Sequence, residues 1–206
     1  MPLQPFLRLD MLMELVSAII SFLIGYYALK GYRASSERGL LFLHFGFVIL
    51  GVSMLLRVIT TVYVVSIFGE EPIRPILEFA RIVYPSIKLV AYTLFALTYT
   101  YQAKIMSEMK GVTPAVLFLL LYNPFLELLA IVLLAYVMVQ SIINYAVKRT
   151  SGAMLVSLGF TCMFFSHLFF LFATDDAPFR YILGHFINLI GFLCLLIMLV
   201  QVSQAE

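Results

Sequence analysis

The sequence predicts an all-α, polytopic transmembrane helix bundle of about six helices, and three observations predict it. Of 206 residues, 63% are hydrophobic and 12% charged, whereas a soluble domain carries about 25% charged residues. Six apolar stretches each reach about 20 residues, enough to cross roughly 30 Å of hydrocarbon. Most charges and many prolines fall in the connectors between them. A soluble domain of this size has too little interior to hide so much apolar surface.

The apolar stretches cover residues 10–31, 39–62, 79–102, 124–147, 152–174 and 180–202. No soluble domain or polar tail interrupts them, so residues 1–206 read as a single integral membrane domain. The opening MPLQPFLRLD lacks the charged start and small-residue cleavage site of a removable signal peptide, so the first stretch is expected to stay as an anchor. Asp10 before MLMEL and Asn123-Pro124 before FLELL have the residue types of N-caps and first helical positions. Glu14 and Glu127 would then occupy first turns, where the helix dipole favours an acid. The apolar stretch Pro114–Tyr122 is too short to cross and is expected in the interface or as a backward extension of the fourth helix. With no tryptophan in the chain, tyrosines such as Tyr26, Tyr27, Tyr32, Tyr99, Tyr101, Tyr122 and Tyr145 must supply the aromatic belts near helix ends.

The chain also reads as duplicated. A shift of 113 positions pairs Glu14 with Glu127, Tyr32 with Tyr145, Gly39 with Gly152, Gly46-Phe47 with Gly159-Phe160, Ser53 with Ser166 and Thr61 with Thr174. A shift of 100 pairs Phe79, Ile82 and Ile87 with Phe179, Ile182 and Ile187. The halves run to about residues 1–110 and 111–206. Three helices per half reverse the direction of travel, so an inverted 3+3 repeat is expected, with a site near the midplane where the halves meet. On that topology the basic residues divide almost evenly between the two sides, and the positive-inside rule gives no orientation.

Ionisable residues in the hydrocarbon are costly and are functional candidates. Lys88 lies nine residues into the third stretch, about 14 Å along the helix. Arg81, Tyr84, Lys88, Tyr92 and Tyr99 step along one face. No acid falls at the depth of Lys88 on this reading, and the repeat sets Asn188 opposite it. Lys88, Asn188, Tyr84 and Tyr92 are therefore the expected solute-binding residues, with an anion as one expected occupant. A lysine that snorkels or bonds internally is the plainer alternative. Arg57, near a helix end, is expected to snorkel.

His44, His167 and His185 fall at similar depth near one face if the helices alternate, which would suit zinc, copper or haem. None is paired in an HxxxH or HxxH step, and three separately hydrogen-bonded histidines are the alternative. Cys162 and Cys194 lie in apolar stretches without CxxC spacing and read as small hydrophobes or as a disulfide between neighbouring helices. The chain carries no GxSxG, HExxH, GxxxxGK[ST] or GxGxxG, so no catalytic residue is expected. A net charge of +2 without long basic runs leaves no footing for nucleic acid.

The segment YALKGYRASSERGLLFLHFGFVILGVSMLLR resembles stretches in archaeal multi-spanning membrane proteins that carry a short basic loop followed by a Gly-Phe helix. The resemblance covers about 30 residues, implies a membrane location, and implies no activity. The function expected from the residues is a small permease or channel-like protein in the cell membrane, surrounded by lipid and assembled as a homo-oligomer or within a membrane complex. A haem- or metal-binding membrane protein and a non-catalytic assembly subunit are the alternatives.

Overall fold

A computed structural model describes residues 4–68, 74–106, 123–172 and 178–204. They form six helices: α1 Gln4–Ser35, α2 Arg38–Phe68, α3 Arg74–Met106, α4 Asn123–Lys148, α5 Ser151–Leu171 and α6 Pro178–Gln204. Each is long and apolar enough to cross a membrane, as the hydropathy pattern predicts. Five of the six extend beyond their apolar stretches at both ends. The stretch 114–122 lies outside the described residues.

The helices close into a ring in chain order, each packing on the next and α6 returning to α1. Its centre is filled by aromatic rings. Phe47 packs on Phe95 with centroids 4.6 Å apart, Phe95 on Phe160 at 5.7 Å, and Phe47 on Phe192 at 6.2 Å. All four rings are fully buried. The opposite faces carry Leu12, Ile19, Ile59, Val132, Phe186 and other exposed apolar side chains, as lipid-facing surfaces require.

The glycines that the repeat pairs make matching close approaches. A Cβ on Gly46 would strike the Phe95 ring and lie 3.3 Å from the Ala91 carbonyl. A Cβ on Gly159 would lie 2.6 Å from Leu195 Cγ and 3.0 Å from the Gly191 carbonyl. Leu195 and Gly191 stand 100 positions after Phe95 and Ala91. Small residues here let the helix backbones approach, the usual device for packing helices in lipid. The connectors match too. Ser36 and Arg149, 113 positions apart, both adopt the left-handed conformation (φ 56° and 49°). Their amides bond the carbonyls of Tyr32 and Tyr145 at 2.7 and 2.8 Å, ending α1 and α4 in the same way.

The expected inversion of the two halves is corrected by the contacts. His167 of α5 touches Tyr92 of α3 and Glu127 of α4, and further along the same two helices Thr100 bonds Tyr136 at 3.0 Å. Tyr92 to Thr100 and Glu127 to Tyr136 advance together, so α3 and α4 run parallel. Arg57 near the end of α2 reaches Asp10 near the start of α1 and Tyr181 near the start of α6. Thus α1, α3, α4 and α6 begin at one end of the bundle, which we call the acidic end, and α2 and α5 finish there. The two triplets share one direction. The expectation of inversion treated the third and fourth helices as antiparallel neighbours.

Candidate functional site

An i, i+4 pair of acids on α1 begins the site. Asp10 and Glu14 lie on one helical face, 8% and 2% exposed. Because α1 starts at Gln4, neither is a helix-start residue; the expected N-cap and first-turn roles are corrected. Glu127 likewise lies past the first turn of α4.

Arg57 does not snorkel. It donates from Nη1 to Glu14 Oε1 and from Nη2 to Asp10 Oδ2, both at 3.1 Å, and also bonds the Tyr181 hydroxyl. Tyr181 donates in turn to Asp10 Oδ2 at 3.4 Å. On the other side of Asp10, His185 Nε2 stands 2.9 Å from Oδ1. The alignment there is outside that of a hydrogen bond, so both buried atoms keep a valence open among the described residues.

Lys88 is not a lone ammonium. Its Nζ lies 3.7 Å from Glu14 Oε1, the oxygen that also accepts from Arg57. The expectation that no acid reaches Lys88 fails because Glu14 sits deeper than a helix start. Lys88 is also within electrostatic reach of Glu127. Glu127 Oε1 contacts His167 Nδ1 at 2.5 Å, and His167 Nε2 contacts the Tyr92 hydroxyl at 2.6 Å. Tyr92 is fully buried, with its ring against Phe95 at the edge of the aromatic centre. Phe170 stacks between His167 and His185 with centroids at 5.6 and 4.7 Å.

The cluster therefore joins all six helices: Asp10 and Glu14 from α1, Arg57 from α2, Lys88 and Tyr92 from α3, Glu127 from α4, His167 from α5, and Tyr181 and His185 from α6. The cluster lies toward the end of the bundle at which α1, α3, α4 and α6 begin. Glu14, Arg57, Glu127, His167 and His185 each lie within eleven residues of their helix terminus at that end. Lys88 lies deeper, 14 residues from the start of α3, about 21 Å at 1.5 Å per residue.

The other expected site residues divide. Tyr92 joins the cluster. Tyr84 points to α2, where its hydroxyl reaches the Leu56 carbonyl at 3.4 Å, while its own carbonyl accepts from Ser53 at 3.1 Å. Asn188 is buried and accepts from Ser166 at 3.4 Å; the described contacts do not bring it to Lys88. Arg81's side chain lies outside the described ones. The three histidines do not converge. His167 and His185 belong to the acidic end, but His44 sits toward the opposite end, its Nδ1 2.8 Å from the Gly25 carbonyl. No group of three His, Cys, Asp or Glu among the described residues is arranged to hold a metal, which corrects the expected histidine set. Cys162 and Cys194 are free thiols on neighbouring helices.

Comparison with protein-family models, with curated proteins and with solved structures finds no match to this chain.

Proposed function

We propose that this multi-pass membrane protein is a small proton-linked permease whose site is the ionisable cluster at the acidic end. The observation that carries the reading is the charge inventory of that cluster. Three carboxylates (Asp10, Glu14, Glu127) meet two fixed cations (Arg57, Lys88), and two of the carboxylates also touch a histidine. With both histidines neutral the cluster is one negative charge in excess; with both protonated it is one positive. Protons on His167 and His185 therefore set its sign, as in the Asp/Glu/His relays of pumps and transporters.

With both histidines neutral this inventory favours a cation or zwitterion over the anion expected from a lone Lys88. A negative interior repels an anion and attracts a small amine. The packed centre of Phe47, Phe95, Phe160 and Phe192 favours a carrier over an open channel. A solute approaching from the acidic end would meet the cluster before the rings.

Purified protein in liposomes loaded with a pH-sensitive dye tests the proposal against a panel of small amines and amino acids. The expected result is proton movement that accompanies one class of solute and is lost in Glu127→Gln. Wild-type protein that moves neither solute nor protons overturns it.

A second reading is favoured by one observation: most of the cluster's polar groups find partners within the protein. A fully paired network can serve to specify helix packing alone, as an assembly subunit would need. On that reading Glu127→Gln loses stability and the wild type moves no proton.

A further inference from the structure

The parallel course of the two helix triplets regroups the basic connectors. Had the halves been inverted, the α1–α2 and α4–α5 connectors would lie on opposite sides of the membrane. Instead both lie at the end opposite the ionisable cluster. Lys30, Arg33 and Arg38 flank the first connector, and Lys148 and Arg149 flank and form the second. All five are exposed. Lys104, in the last turn of α3, belongs to the same end. Arg8, Arg74, Arg81 and Arg180 fall within the first eight residues of helices that begin at the acidic end, while Arg57 and Lys88 are taken up by carboxylates.

Both connectors are tight. Each is closed by a left-handed residue, Ser36 or Arg149, and is two residues long. Short connectors with excess lysine and arginine are the ones whose count sets orientation. They also attract anionic headgroups, worth about 1 kcal/mol for each basic residue near the surface.

We infer that the α1–α2 and α4–α5 connectors form one basic face on the cytoplasmic leaflet, in contact with its anionic headgroups, and that the ionisable cluster opens toward the non-cytoplasmic side. The inference rests on helix direction and connector charge, so it stands or falls separately from the transport reading.

Site-specific labelling tests it. In a chain with Cys162 and Cys194 replaced by alanine, Ala34→Cys and Ser151→Cys report the two basic connectors, and Arg180→Cys reports the acidic end. A membrane-impermeant maleimide applied to intact cells should label Arg180→Cys and should label the other two only after permeabilisation. The reverse pattern overturns the orientation. Labelling of Ala34→Cys and Ser151→Cys from opposite sides overturns the shared direction on which the inference rests, and so does labelling of every site from both sides. A second measurement reads the headgroups. Nanodiscs containing phosphatidylglycerol should raise the thermal midpoint of the wild type above that in phosphatidylcholine alone. The rise should be lost in the combined Arg33→Gln, Arg38→Gln, Lys148→Gln, Arg149→Gln chain; no rise in the wild type overturns the headgroup contact.

Discussion

Glu14 Oε1 lies 3.1 Å from Arg57 Nη1 and 3.7 Å from Lys88 Nζ, so one carboxylate oxygen of α1 is shared by cations from α2 and α3. Its side chain is 2% exposed. Removing it leaves two cations facing each other in a lipid-embedded interior, with Asp10 and Glu127 the acids nearby among the described residues. Breaking a buried ion pair by deleting one partner costs about 3–5 kcal/mol, whereas replacing both partners by apolar groups can be nearly neutral. Glu14→Leu should therefore lose several kcal/mol. Glu14→Leu combined with Lys88→Met should lose less than the two single losses added together. Denaturation in mild detergent, read as a double-mutant cycle, measures the difference. Additive losses would separate Glu14 from Lys88.

The Tyr92 hydroxyl gives a sharper test of how the histidine is held. His167 Nε2 has Tyr92 at 2.6 Å, and its Nδ1 has Glu127 at 2.5 Å. Tyr92→Phe keeps the ring that packs on Phe95 but leaves a buried imidazole nitrogen without its partner. An orphaned buried polar group costs about 1–3 kcal/mol. Loss of that size, with proton movement also reduced, is the expected outcome for Tyr92→Phe. Thr93→Val, on the same helix, removes a hydroxyl that bonds its own Leu89 carbonyl at 2.9 Å. It should be close to neutral in both assays, and equal losses in the two variants would deny Tyr92 a special place.

Much of the architecture was legible because it is written in spacing. The six spans follow from apolar run length, and Gly46 and Gly159, which the 113-residue shift pairs, both sit at close helix crossings. Helix direction was not legible. Hydropathy marks a span but carries no arrow, and treating α3 and α4 as antiparallel inverted the second half and moved His167 and His185 to the wrong end. The acids of α1 were missed for a related reason. Asp10 looked like an N-cap because the apolar run begins just after it, while the helix begins at Gln4. Two signals could have found the cluster: the i, i+4 spacing of Asp10 and Glu14, and an arginine at position 57 with apolar residues on both sides.

The connector conformation supplies a stability test away from the cluster. Ser36 has φ 56° and is exposed. A non-glycine residue in the left-handed region carries about 1–2 kcal/mol of steric cost. Ser36→Gly should remove part of that cost and raise the thermal midpoint, offset by the greater freedom glycine has in the unfolded chain. Ser36→Val should lower it, because β-branching makes the left-handed conformation worse. Thermal denaturation of the two variants in one detergent gives the order. A valine chain as stable as the glycine chain would remove the strain from this turn.

The α5–α6 crossing gives the last test, because it contains two glycines of opposite expectation. At Gly159 a Cβ would stand 2.6 Å from Leu195 Cγ and 3.0 Å from the Gly191 carbonyl. Leu195 is 2% exposed, and Gly191 meets α5 with its own backbone, so neither neighbour can withdraw easily. Overpacking of that kind costs about 1–3 kcal/mol, and Gly159→Ala should pay it by forcing α5 and α6 apart. At Gly152, on the same helix, the nearest atom to a Cβ is Met198 Cγ at 3.6 Å, an ordinary contact with a flexible side chain. Gly152→Ala should be neutral or stabilising by about 0.5–1 kcal/mol, since alanine loses less entropy in a helix. The pair isolates close approach from helix propensity: propensity alone predicts a gain at both positions. If Gly159→Ala were as stable as Gly152→Ala, the tight crossing of α5 on α6 would be wrong. The seat of Ser166 and Asn188 on the same two helices would then be wrong with it.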